Sequence, residues 1–291
     1  MHPLEALNEG ELRQLSRIAD HLLSSRLLLA PGHRPNRLYA GFGAEFLDHR
    51  EFAPGDDIRD IDWRASARSR HPQIRRYWDE AAADWTLCLD VSASMHLNDK
   101  WPLALQCTAA LAYLLIHLDH RVAILLFSDR LQQRIPLGRG HRHYAQILHS
   151  LRQVTPLQSG GGSDLRACIR HIKRRSSVFV ISDFLVEDGM QAGLEKLWLL
   201  GDRIHALQIY AYDKPPARED TTTLLDVETG ETLVINHPNR EQLGYRQALD
   251  SFCNTLAGYC RQRRIQFSRT TPEQNWKTAL IEHFHCWGGI S

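Results

Sequence analysis

The stretch WTLCLDVSASM, residues 85–95, passes from apolar side chains into oxygen-bearing ones on alternate residues: Asp90, Ser92 and Ser94. One carboxylate and two hydroxyls at that spacing, in a loop leaving a strand, can turn toward a common point. Two later segments offer the same chemistry. SGGGSDL (159–165) presents Ser163 after glycines that permit a tight turn, and VISDF (180–184) ends an apolar run with Asp183. Three hydroxyls and two carboxylates make an all-oxygen donor set, which suits Mg²⁺, Mn²⁺ or Ca²⁺ rather than zinc or copper. Mg²⁺ retains waters and takes few protein ligands, so a sparse cage fits it and leaves one position for an acidic group from outside. With two charged ligands among five, the ion is expected to bind weakly.

Such a site needs strands that end on one side of a sheet. From residue 84 onward, apolar runs alternate with helical patterns, which is the signature of βαβ units around a mainly parallel sheet. WTLCLD (85–90), RVAILLFS (121–128), SVFVISDF (177–184) and IHALQIYAY (204–212) read as strands covered on both faces. LQQRIPL (131–137) alternates like an edge strand. Helices are expected at 101–119, 141–153, 164–175 and 189–200, and a long one at 239–263. TTTLLDVETGETLVINH (221–237) reads as a β-hairpin with Gly in its turn. The expected fold class is thus α/β, a doubly wound, mainly parallel, Rossmann-like sheet. In such sheets a ligand lies beyond the carboxyl ends of the strands, near the point where strand order reverses. Asp90 and Asp183 close strands there, and Asp183 is expected on the surface, so that its replacement by Ala should spare the fold.

The order DxSxS, then a Gly-Gly-Ser turn, then an Asp closing a later strand resembles the metal-ion-dependent adhesion site of von Willebrand factor type A domains. All five positions match: Asp90, Ser92, Ser94, Ser163 (where Thr is usual) and Asp183. The resemblance implies that the serine hydroxyls touch the metal, that the aspartates act mainly through water, and that a partner's carboxylate completes the shell. Residues 41–80, GFGAEFLDHREFAPGDDIRDIDWRASARSRHPQIRRYWDE, are similar to the signature of the bacterial family called domain of unknown function 58, in which this block precedes a von Willebrand type A-like domain. That likeness extends through VETGETLVINHP and the C-terminal helix. It implies a partner among MoxR-type AAA+ ATPases, thought to assist maturation or metal insertion in other proteins.

The division expected from these patterns is an N-terminal helix (9–29) and family-specific extension over 1–83, packed on a von Willebrand type A-like domain over 84–291. Within the extension, Asp56, Asp57, Asp60 and Asp62 lack the order of a calcium loop and alternate with Arg50, Arg59, Arg64 and Arg68, so ion pairs and caps are expected. Trp63 is expected to anchor the block by burial, the alternative being a partner surface.

Composition narrows the function classes. Thirty-five Lys and Arg against 34 Asp and Glu leave a net charge of +1, without the basic footprint of a nucleic-acid binder. The six cysteines show no CxxC spacing and point to a reducing compartment. No signal-peptide pattern opens the chain, and WPLALQCTAALAYLLIHL (101–118), interrupted by Gln106, Thr108 and His117, reads as a buried helix rather than a membrane span. A cytoplasmic location is expected. HRH (141–143) and HFHC (283–286) lack zinc spacing and read as solvated or capping histidines. The expected function is a non-enzymatic, divalent-metal-dependent interaction module. A metal-independent scaffold is one alternative. A haloacid dehalogenase-like phosphatase is another, but Ser92 stands where that chemistry needs a general acid.

Overall fold

The computed structural model describes residues 2–24, 39–40, 45–52, 61–69, 71–78, 83–160, 162–174, 176–185, 187–200, 203–212, 222–225, 227, 230, 232–235 and 238–286. They form two compact units, one of residues 1–20 with 83–291 and one of residues 21–82. The N-terminal helix, α1 (Glu9–Ser24), therefore belongs mostly with the larger unit rather than with the extension.

In the smaller unit, β1 (Tyr39–Ala40), β2 (Glu45–Glu51) and β3 (Gln73–Trp78) form an antiparallel sheet of order β1-β3-β2. No periodicity in the sequence announced it, because short strands of charged residues carry no alternating apolar signal. Before β3 lies α2 (Trp63–Ser69), whose start is capped by Asp62: Oδ1 accepts the N–H groups of Arg64 (2.9 Å) and Ala65 (3.2 Å), and Oδ2 lies 3.0 Å from His49 Nε2. The expected capping role is thus met at Asp62; Asp56, Asp57 and Asp60 lie outside the described residues. The expected burial of Trp63 is not met. No residue of α2 is buried, and Trp63, at its first position, is 67% exposed.

The larger unit is built on a six-stranded sheet formed by β4 (Asp84–Asp90), β5 (Arg121–Phe127), β6 (Leu131–Gly138), β7 (Ser177–Ser182), β8 (Arg203–Ile209) and, near the C-terminus, a strand at Gln266–Thr270. Its helices are α3 (Lys100–His117), α4 (Gly140–Arg152), α5 (Arg166–Ile169) and α6 (Glu187–Leu199). After β8 come a two-stranded antiparallel hairpin, β9 (Thr222–Leu225) and β10 (Thr232–Ile235), then α7 (Pro238–Gln262), the Gln266–Thr270 strand as β11, and α8 (Trp276–Cys286).

Strand order in the large sheet is β11-β8-β7-β4-β5-β6, all pairs parallel except β5 with β6. Counting from β4 this is the doubly wound order 3-2-1-4-5-6, and the reversal falls between β4 and β7. The fold class expected from the sequence, with β6 at the edge, is the observed one, and β6 runs antiparallel to β5.

Burial explains the pattern. Leu87, Cys88, Leu89, Ile124, Leu125, Val178, Phe179 and Val180 are fully buried, since helices cover both faces. Thirteen of the 18 residues of α3 are buried, which its Ala- and Leu-rich sequence permits. No helix among the described residues is long and apolar enough to cross a membrane. Of the expected helices, the one at 164–175 shrinks to the four residues of α5, and β11 escapes sequence reading because Gln266, Ser268 and Arg269 dilute its apolar signal.

Candidate functional site

The site forms where β4 and β7 end side by side. Leu89 pairs with Ile181, so the next residues, Asp90 and Ser182, meet across the two strands. Asp90 is fully buried and both of its oxygens are engaged: Oδ1 accepts the Ser92 N–H (2.9 Å), and Oδ2 accepts the hydroxyls of Ser163 and Ser182, each at 2.6 Å. Burial, followed by the charge of nearby Asp183, pushes its carboxyl up to about 6, against the opposing pull of those three hydrogen bonds. The Ser92 and Ser94 hydroxyls stand 3.1 Å apart in the loop that leaves β4.

Ser163 is delivered by a loop held on three sides. Gly160, at φ +71°, donates to Val227 in the turn of the β9–β10 hairpin (2.9 Å), and Asp164 donates its N–H to Ser128 O at the end of β5 (2.8 Å). Helix α6 closes the third side through glycines: a Cβ at Gly189 would stand 2.6 Å from the Ser163 carbonyl oxygen, and one at Gly193 would stand 2.5 Å from Leu165 Cβ. Only hydrogen at those positions allows the approach.

Asp183 sits just past β7. Its Oδ1 accepts the Leu185 N–H (3.3 Å), its backbone carbonyl accepts from Gln208 Nε2 (2.9 Å), and its Oδ2 accepts from the Lys100 ammonium at 2.5 Å. That ion pair is buried, with side-chain exposures of 4% for Lys100 and 1% for Asp183. The expectation of a surface Asp183 is therefore wrong: α3 begins over the end of β7 and covers it. All five predicted residues come to one place, but as a buried cluster, with exposures from 0% at Asp90 and Ser92 to 7% at Ser94.

Sequence reading missed Lys100 and Ser182. Ser182 was legible in principle, since parallel strands ending together put it opposite Asp90. Lys100 had one signal: a cation at the first position of a helix opposes the helix dipole and so needs a local reason. The histidine reading also needs correction. His283, on the buried face of α8, has Nδ1 2.6 Å from Ser268 Oγ and Nε2 3.1 Å from Nδ1 of buried His205. His143 lies 2.8 Å through Nε2 from the Val122 carbonyl, because α4 turns that ring onto the sheet edge.

Fold and site together define a doubly wound, mainly parallel α/β domain with an oxygen-rich cluster at its strand-order reversal. The chain belongs to the family described as Protein of unknown function DUF58, which matches residues 48–250. Uncharacterized proteins of Mycobacterium tuberculosis and Mycobacterium bovis are 30% identical over 156 residues, which cover 51% of this chain and 49% of each of theirs. The chain thus spans about half the length of the curated relatives it matches. Similar solved structures include an aerotolerance-related membrane protein from Bacteroides fragilis carrying multiple mutations to serines (17% identity, TM-score 0.47). Another is the conserved hypothetical protein BatB from Bacteroides thetaiotaomicron (15% identity, TM-score 0.45). Each covers 72% of this chain and 100% of its own.

By donor type the cluster fits a small hard cation, since Ser92, Ser94 and Ser163 offer hydroxyl oxygens and both aspartates lie close behind. Among the described residues no group of three or more His, Cys, Asp or Glu gathers to hold a metal, so any ion would depend on those hydroxyls.

Proposed function

We propose that this chain is a non-enzymatic, divalent-metal-dependent protein-interaction module. The observation that carries the reading is the convergence of Asp90, Ser92, Ser94, Ser163 and Asp183 at the reversal between β4 and β7. Mg²⁺ or Mn²⁺ would be held directly by the three hydroxyls, with Asp90 and Asp183 supplying charge from behind and Asp90 turning the Ser163 hydroxyl proton away from the ion. A Ser163 O–H that donates to Asp90 leaves its lone pairs free to face a cation. Bound there, the ion would act as an acceptor for one further carboxylate.

A protein partner with an acidic side chain suits the surroundings. Leu97 and Leu185, in the two loops that frame the site, are 38% and 39% exposed, and an apolar margin around a charged centre excludes water from the bond it makes. The family resemblance makes a MoxR-type AAA+ ATPase, or a client that it remodels, the partner, with maturation or metal insertion in other proteins as the task and the cytoplasm as the place. Hydrolytic chemistry has less support. Both Asp90 oxygens already accept hydrogen bonds, so the carboxylate is a poor nucleophile, and Ser92 has the wrong acidity for a general acid.

The test is binding of the purified chain to the MoxR-type ATPase of its own organism, with Mg²⁺ and with EDTA. Binding that requires Mg²⁺ and is lost in Ser92→Ala/Ser94→Ala supports the reading. Equal binding under all conditions would leave a metal-independent scaffold.

A further inference from the structure

The Lys100–Asp183 pair lies inside the proposed metal site, and the backbone on both sides of it is strained. Asn98 and Asp99, immediately before Lys100, have φ of 54° and 58°, and Phe184, immediately after Asp183, has φ of 59°. Non-glycine residues enter this left-handed region at a cost, Phe more so than Asn or Asp, and two in succession are unusual. Lys100 is also the first residue of α3, where the positive end of the helix dipole repels an ammonium. Strain and dipole both oppose the placement, yet the side chain is buried and bonded to a carboxylate that a metal would use. A solvent-facing lysine at this position would have avoided burying the ammonium.

We propose that Lys100 is a built-in counter-cation: its ammonium holds Asp183 in the metal-free state, and a divalent ion binds only by displacing it from that carboxylate. The inference rests on the metal-dependent reading above. Two cations cannot share one buried carboxylate without repulsion, so ion and ammonium exclude each other. Asp90, Asp183 and Lys100 sum to one negative charge, which leaves the metal-free cluster nearly balanced and folded without an ion. With the ammonium displaced, the two aspartates only balance the divalent ion, which can still accept one carboxylate from outside. Lys100 thereby keeps intrinsic metal affinity low and ties occupancy to docking. The released ammonium has the Leu97–Asp99 loop as its way out, since Leu97 and Asp99 are exposed.

The experiment titrates Mn²⁺ into the full chain at fixed pH by calorimetry and records thermal unfolding with and without Mn²⁺. It compares wild type, Lys100→Met, the milder Lys100→Gln, which still offers Asp183 a hydrogen bond, and Ser92→Ala/Ser94→Ala. Removing the competing cation should tighten Mn²⁺ binding about 5- to 150-fold, the usual span for coupled sites. It should also make the unfolding temperature respond to Mn²⁺ more strongly than in wild type. If Lys100→Met folds only when Mn²⁺ is present, the ion has replaced the ammonium and the proposal stands. Unchanged or weaker binding in both Lys100 variants, with binding still lost in the double serine variant, would overturn the counter-cation and leave the metal site intact. No Mn²⁺ binding in any of the proteins would overturn both.

Discussion

Replacing Asp183 with Ala in metal-free buffer strands the Lys100 ammonium in a place where its side chain is 4% exposed. Breaking a buried ion pair by removing one partner costs about 3–5 kcal/mol, because the remaining charge keeps its desolvation penalty and loses its compensation. That is a large share of the ~5–15 kcal/mol that stabilises a typical protein. At about 2–4 °C per kcal/mol for a domain of this size, the unfolding temperature should fall by on the order of 10 °C. Differential scanning calorimetry and urea unfolding in EDTA measure it. Lys100→Met/Asp183→Ala should recover most of the loss, because an apolar pair carries no stranded charge. An Asp183→Ala protein that melts within about 2 °C of wild type would refute the buried-charge reasoning.

Trp63→Ala should change stability by less than about 0.5 kcal/mol, because the side chain is 67% exposed; a loss of several kcal/mol in urea unfolding would show that Trp63 is covered after all. Gly189→Ala should cost about 1–3 kcal/mol and weaken Mn²⁺ binding, since its Cβ would press on the Ser163 carbonyl at 2.6 Å; unchanged affinity would separate α6 from the site. Burial first, then the charge of Arg203, lowers His205 to about 3, and burial followed by His205 lowers His283 well below its ordinary value of 6.5. Both rings stay neutral in the folded chain while the unfolded chain takes up their protons. The stability they contribute is therefore complete above pH 6.5 and falls below it, by up to about 1.4 kcal/mol per pH unit for each ring. His205→Phe should flatten the fall in stability between pH 6.5 and 5, measured by urea unfolding at each pH, and an identical slope in wild type and variant would count against neutral buried rings.

The main strands of the large sheet and the five oxygen-bearing residues were legible in the chain because both are carried by short-range patterns. Continuous runs such as RVAILLF can be buried on both faces only inside a covered sheet, and alternation in LQQRIPL marks an edge. Residues that end parallel strands then gather at one rim, which places Asp90 and Asp183 together whatever the intervening sequence. The smaller sheet of β1, β2 and β3 and the strand β11 were not legible, because their charged and polar residues leave no periodic signal and their pairing comes from elsewhere in the chain. Burial was the other quantity out of reach. Trp63 reads as an anchor and His283 as solvated, yet which face of α2 or α8 meets another layer depends on packing, and the outcome reversed both. Lys100 shows the limit most clearly. Its partner is 83 residues away, and a lysine before an apolar helix looks like a solvated start. Only the passage of α3 over the end of β7 removes water from the ammonium and turns it toward Asp183, because desolvation is a property of everything packed around a charge and is written in no single stretch of sequence.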